Sequence, residues 1–153
     1  MKKKEILSVI KKEVIKYYQE NLVSLVIFGS FARNEFSKLS DIDLLIICRN
    51  LAQERMKRVR DFERIENSLE KKGFKLPFSP IIKTKEEVEK GSPLFFDMIE
   101  DSIILYDRGN FFKNYLKKLK SKLDSLGAKK IIRKGFWFWV LKKDYKLGEV
   151  FSI

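Results

Sequence analysis

The order of elements in this chain predicts an α/β (α+β) domain: a small mixed β-sheet flanked by helices, followed by a C-terminal helix and β extension. Three observations predict it. Two short apolar, β-branched runs at 22–28 and 41–47 read as buried strands. Amphipathic stretches at 2–20, 53–72 and 110–126 read as helices around them. No internal repeat, low-complexity tract or long linker interrupts the chain. With 153 residues, 44% of them hydrophobic, there is enough apolar surface for one packed core.

Ile6, Leu7, Ile10, Val14, Ile15 and Tyr18 recur at three- and four-residue steps among charges, which makes 2–20 a helix that ends at Asn21. The run 22–28 stops at Gly29, and Ser30 to Asn34 looks like the first turn of a short helix, with serine at an entry position to cap free amides. Asp41 to Ile47 begins with alternating acid and aliphatic and ends as a continuous apolar run. One end of that strand is buried and the acidic end is not. The helix at 53–72 is stopped by Gly73. Segment 74–82 carries Pro77 and Pro80, each without an amide hydrogen, so an irregular or edge strand is expected. Short helices follow from Thr84 and from Pro93, then a strand at 103–106. A basic amphipathic helix at 110–126 closes at Gly127, and 131–141, with Phe136, Trp137, Phe138 and Trp139, reads as one or two strands. We expect a core at 1–108 and an extension at 109–153 packed on it.

Composition removes several chemistries. The chain has no histidine, and with it go the commonest general base and the commonest zinc ligand. Catalysis must use carboxylates, hydroxyls, lysines or a hard metal. Cys48, the single cysteine, follows an apolar run and reads as a buried structural thiol. A net charge of +12 suits polyanionic ligands such as nucleotides or RNA, and suits general solubility equally well. No apolar run approaches the roughly 18 residues of a membrane span, and Met-Lys-Lys-Lys leads into an amphipathic stretch, so a cytoplasmic protein is expected.

Residues 28–43 carry the chemistry. Gly29 lets backbone approach a ligand with no Cβ in the way, and Ser30 opens a helical turn whose first amides lack intrahelical partners, so the pair can grip phosphate. Asp41 and Asp43, two apart on a strand, project from one face and can share hard cations. Magnesium there, in a one- or two-metal site, could bridge triphosphate oxygens and an attacking hydroxyl. Taken singly, an Asp-x-Asp pair is commonly a solvated strand end, and Gly-Ser after a strand is commonly a turn.

Strand, Gly29-Ser30, ten residues, then Asp41-Ile42-Asp43 opening a second apolar strand resembles the signature of the polymerase β-like nucleotidyltransferases. Gly29-Ser30-Phe31-Ala32-Arg33-Asn34-Glu35 and Ser40-Asp41-Ile42-Asp43-Leu44-Leu45-Ile46 look more narrowly like the minimal nucleotidyltransferases of prokaryotes. The motif covers about 23–47, and the element order extends the likeness to about 106. The resemblance implies the nucleotidyltransferase fold, ATP or another nucleoside triphosphate at Gly29 and Ser30, and Mg²⁺ at Asp41 and Asp43. It places Arg33 at the usual basic position, where two readings stand open: phosphate contact or a brace for the loop. Glu35 matches a loop acid and reads as a brace; Asn34 replaces a glycine and tolerates a left-handed turn.

Active relatives place a third carboxylate on the strand after the long helix, and 74–82 has no acid. Asp97, Asp101 and Glu86, in that order, are the candidates to replace it. The implied activity is transfer of a nucleoside monophosphate, AMP foremost, to a protein hydroxyl. The implied partner is an HEPN-type toxin, with this chain as its antitoxin, or a second copy in a homo-oligomer. Transfer to tRNA or another RNA is the alternative enzyme, and a catalytically degenerate module that binds nucleotide and a partner is the alternative of another class. Lys113, Lys117, Lys118, Lys120 and Lys122 make the 110–126 helix a solvated face or an RNA-binding one, and the tail at 130–146 reads as core-closing strands or as a base-stacking surface.

Overall fold

A computed structural model describes residues 2–35, 40–142 and 153. Helix α1 spans Lys3–Tyr18, and its stripe of Ile6, Ile10, Val14 and Tyr18 is buried as the four-residue spacing requires. After a 3₁₀ turn at Gln19–Asn21 come β1 (Leu22–Phe28), the one-turn helix α2 (Gly29–Ala32) and β2 (Ile42–Cys48). The long helix α3 (Arg55–Lys71) leads to β3 (Phe78–Thr84). Two five-residue helices, α4 (Lys85–Glu89) and α5 (Leu94–Met98), precede β4 (Ile103–Asp107) and α6 (Phe111–Ser125). Strands β5 (Lys129–Arg133) and β6 (Phe136–Val140) form a separate hairpin.

The main sheet has the order β3-β2-β1-β4. Its two inner strands are the two apolar runs, antiparallel to each other, while β3 runs parallel to β2 along one edge. Pro80 sits opposite Leu44 on that edge strand, where a missing amide is tolerated. A bulge between Leu22 and Ser24 changes the parity of β1. As a result Leu22, Leu25 and Ile27 share the face that packs on α1 and α3 with Phe62 and Leu69. Val23 and Val26 join Leu45 and Ile47 on the opposite face, against α5 and α6. Each such Leu or Ile side chain contributes about 1.5–3 kcal/mol by leaving water, so this double-sided burial holds the three layers together.

The buried charged groups of the core are paired, while the buried Tyr18 hydroxyl finds no partner among the described residues. Thr84 and Glu87 form a capping box at the start of α4, and Arg58 of α3 reaches Glu87 at 2.8 Å and the Ile82 carbonyl at 3.1 Å. The end of β3 is thereby tied to the long helix. Glu13 on α1 accepts from Ser68 on α3 at 2.7 Å and pairs with Lys72. Cys48 is buried and its thiol is pushed up to about 12 by that burial, consistent with a structural role.

Two local expectations need correction, and a third is met. The short helix begins at Gly29 and ends at Ala32, with Phe28 in the capping position, so the Ser30 side chain caps nothing. The strand expected at 74–82 starts later, at Phe78, and runs to Thr84; Pro77 just before it has no amide to donate and offers its carbonyl to the Ile42 amide at 2.8 Å. The tail forms two strands, and its expected end at 143–146 lies outside the described residues, as do 36–39 of the loop before β2. Asn34 has φ 61°, the left-handed conformation its residue type allows. Among the described residues no helix is long and apolar enough to cross a membrane.

Candidate functional site

The antiparallel pairing of β1 and β2 assembles the predicted residues. Phe28, the last residue of β1, is in register with Asp43 on β2, so Gly29 and Ser30 emerge directly beside that carboxylate. Gly29 has φ 73°, and a Cβ added there would collide with Asp43 Oδ2. Glycine is therefore required twice, by the backbone conformation and by the aspartate packed against it. The sequence suggests clearance for a ligand at Gly29, and in the structure the neighbour in that space is Asp43.

Asp41 is exposed and Asp43 half-buried, two residues apart at the start of β2. Burial pushes the Asp43 carboxyl above its ordinary value, the like charge of Asp41 adds to the rise, and Arg33 opposes it. On the other side of Asp43, β3 places Ser79 in register with it. Among the described residues no group of three or more His, Cys, Asp and Glu side chains could hold a metal ion. Asp41, just before β2, and Asp43, within it, are the carboxylates at this end of the strand.

A cleft of about 370 Å³ opens on Asp43, lined on one side by Phe28, Gly29, Ser30, Arg33 and Asp43, while Asp41 lies outside its lining. Leu94, Asp97, Met98 and Asp101 line the facing side from α5 and its C-terminal flank, and Trp137 of β6 completes the wall. Larger hollows of about 420 Å³ beside Arg58 and about 550 Å³ beside α6 are each lined by a single carboxylate and lack the Gly29–Ser30 turn, so chemistry selects the smaller one. Arg33 pairs with Glu35 at 3.0 Å, and its guanidinium stands 4.9 Å from the centre of the Trp137 ring. Both open readings of Arg33 keep support, since it braces the loop while lining the cleft.

Of the three substitute carboxylates, Asp97 and Asp101 reach the cleft, and exposed Glu86 is absent from its lining. Asp97 Oδ1 accepts the indole N–H of Trp137 at 2.8 Å and of Trp139 at 3.0 Å. Lys130 lies 3.8 Å from Asp101 and 3.5 Å from Glu100. Trp137 and Lys130 were not among the predicted site residues. Their signal was the alternation of 136–139: Trp139 packs on Phe96 in the core, and Trp137, two residues away on the same face, meets the cleft.

The family model of the nucleotidyltransferase domain matches residues 7–106. The chain belongs to this family. This nucleotidyltransferase is 34% identical over 108 residues to a protein of Methanocaldococcus jannaschii named as a candidate protein adenylyltransferase, covering 67% of this chain and 71% of that one. Family and relative together support transferase activity. Among solved structures, a toxin-antitoxin complex with AMP-PNP superposes with TM-score 0.53 at 16% identity, covering 76% of this chain and 88% of the other. A tri-AMPylated Shewanella oneidensis HEPN toxin in complex with its MNT antitoxin matches with TM-score 0.51 at 14% identity, covering 78% and 88%. At such identities these neighbours show the shared fold. The matched residues 7–106 end before α6, β5 and β6, so the nucleotidyltransferase takes one wall of its cleft from outside the family region.

Proposed function

We propose that this nucleotidyltransferase transfers AMP from ATP to a hydroxyl group of a protein, and that its acceptor is an HEPN-type toxin for which it serves as antitoxin. The observation that carries the reading is the packing of Asp43 against Gly29, which sets the Gly29–Ser30 turn and a strand-end carboxylate in one cleft, with the charge of Asp41 nearby. The acceptor is inferred from the M. jannaschii relative's name and from the AMPylated HEPN toxin held by the structural neighbour.

The site suits a hard divalent cation. Asp43 is half-buried beside a second carboxylate, and burial first and the charge of Asp41 second raise its pKa against the pull of Arg33. Asp41 and Asp43 would hold Mg²⁺, which when bound neutralises triphosphate charge and favours departure of pyrophosphate. The Gly29–Ser30 turn presents amides and a hydroxyl to phosphate, and Arg33 supplies a cation that can exchange Glu35 for a phosphate oxygen. In the transfer the acceptor oxygen bonds to the α-phosphorus, the bond from that phosphorus to the bridging oxygen breaks, and pyrophosphate leaves. The acceptor's proton goes to a cleft carboxylate.

Asp101 is better placed for that proton than Asp97, which had been ranked first. Two indole N–H donors already occupy Asp97 Oδ1 and hold that side chain as an anchor. The test is incubation of the purified chain and its copurified partner with ATP labelled at the α-phosphate and Mg²⁺. Label should move to the partner with wild type and fail to move with Asp43→Asn. Wild type that binds ATP and labels nothing would replace this reading with that of a nucleotide-binding partner module.

A further inference from the structure

The cleft has two chemically different ends. Gly29, Ser30, Arg33 and Asp43 are polar and small, fitted to phosphate and metal, while Leu94, Met98 and Trp137 offer apolar surface. We propose that Trp137 is the base-stacking residue of the nucleotide site, supplied by the C-terminal hairpin from outside the family's matched region. The proposal rests on the nucleotide-binding reading above and adds to it the residue that meets the base.

Three observations support it. Trp137 lines the same cleft as the Gly-Ser turn and Asp43, although 94 positions separate it from Asp43 in the chain. Its ring is held in place: the indole N–H donates to Asp97 at 2.8 Å, Trp139 donates to the same oxygen at 3.0 Å, and Trp139 packs edge-on against Phe96 at 5.8 Å. An aromatic plane already fixed in this way loses little rotamer freedom when a base stacks on it.

The third observation is the pair of cations on the ring, Arg33 at 4.9 Å and Lys130 at 4.7 Å from its centre. A cation–π contact at a half-exposed site is weaker than a charge-assisted hydrogen bond to phosphate. An arriving triphosphate therefore draws Arg33 from the ring and uncovers π surface for the base it carries. Lys130 stays within reach of Asp101 and Glu100, at 3.8 and 3.5 Å. Every base has a π face, so Trp137 raises affinity for nucleotides in general and leaves base choice to other contacts.

Calorimetry with ATP and with inorganic tripolyphosphate, each with Mg²⁺, separates stacking from phosphate binding. Trp137→Ala should weaken ATP about 10-fold, the scale of one lost stacked base, with tripolyphosphate affinity almost unchanged, and Trp137→Phe should retain most of the ATP affinity. The chain has two tryptophans, so in Trp139→Phe protein the remaining indole reports directly: ATP should quench it more than tripolyphosphate does. Equal loss of both ligands in Trp137→Ala would overturn the proposal in favour of a ring that merely positions Arg33. No loss of either would also overturn it, and Trp137→Phe together with thermal melting guards against misfolding as the cause. Wild type that binds neither ligand would defeat the nucleotide reading itself, an outcome distinct from both.

Discussion

Two carboxylates in this chain have opposite histories on folding. Glu13 is the more deeply buried, its side chain 5% exposed, yet its pKa lies below the ordinary value because Lys72 and then Ser68 hydrogen-bond it strongly enough to outweigh burial. Asp43 is only half-buried, yet burial and then Asp41 raise it. Burial pushes both carboxyls upward, and at Glu13 the hydrogen-bonding partners reverse the sign. Glu13 joins α1 to α3 and its charge is met inside the protein, whereas Asp43 keeps unmet charge at the mouth of a cleft, the arrangement expected where a cation or ligand completes the balance.

The sharpest way to break this comparison is Gly29→Val. A branched side chain at φ 73° is strained and its Cβ meets Asp43 Oδ2, so folding stability should fall by about 2–3 kcal/mol and ATP binding should vanish. Urea denaturation and calorimetry measure both. A variant as stable as wild type would mean that Gly29 and Asp43 are not in contact.

Glu13→Ala should cost about 2 kcal/mol, since it leaves Ser68 and Lys72 without their acceptor at a packed helix–helix contact. The pH dependence has a definite sign. Because the folded pKa lies below the ordinary 4.5, the stabilisation is complete above that pH and is lost as pH falls through the folded value. Melting curves from pH 7 down to pH 2 should show a flatter acid limb in Glu13→Ala than in wild type. Parallel limbs would remove Glu13 from the account.

Asp43→Asn should move stability the other way, a gain on the order of 1 kcal/mol at pH 7, while Mg²⁺-dependent ATP affinity is lost. The pairing of a higher melting temperature with lost binding is the expected mark of charge kept for function. A destabilised Asp43→Asn protein would show that the fold already satisfies this carboxylate.

The smallest effect is expected from Ser79→Asp. Ser79 is the registered neighbour of Asp43 on β3, so an acid there restores a third carboxylate at the position the sequence leaves empty. Single-turnover AMP transfer should rise a few-fold, under about 1 kcal/mol in barrier. A slower variant would indicate that added repulsion beside Asp43 outweighs the gain.

Much of this molecule is a local property of the chain. The limits of β1, the acidic start and apolar body of β2, the edge placement of the proline-bearing β3 and the left-handed Asn34 all follow from periodicity and backbone sterics within a few residues. Gly29, Ser30, Asp41 and Asp43 could be nominated from residue type and spacing, and Arg33 from the family resemblance. Tertiary structure decided what each would face. The β1–β2 register set Asp43 against Gly29, α5 carried Asp97 and Asp101 into the cleft while α4 left Glu86 outside, and the hairpin brought Trp137 to a carboxylate 40 positions earlier. Such contacts depend on how layers pack across long sequence separations, and a single sequence carries no local pattern that encodes them: Asp97 reads as an ordinary acid in a short helix until two indoles arrive to bind it.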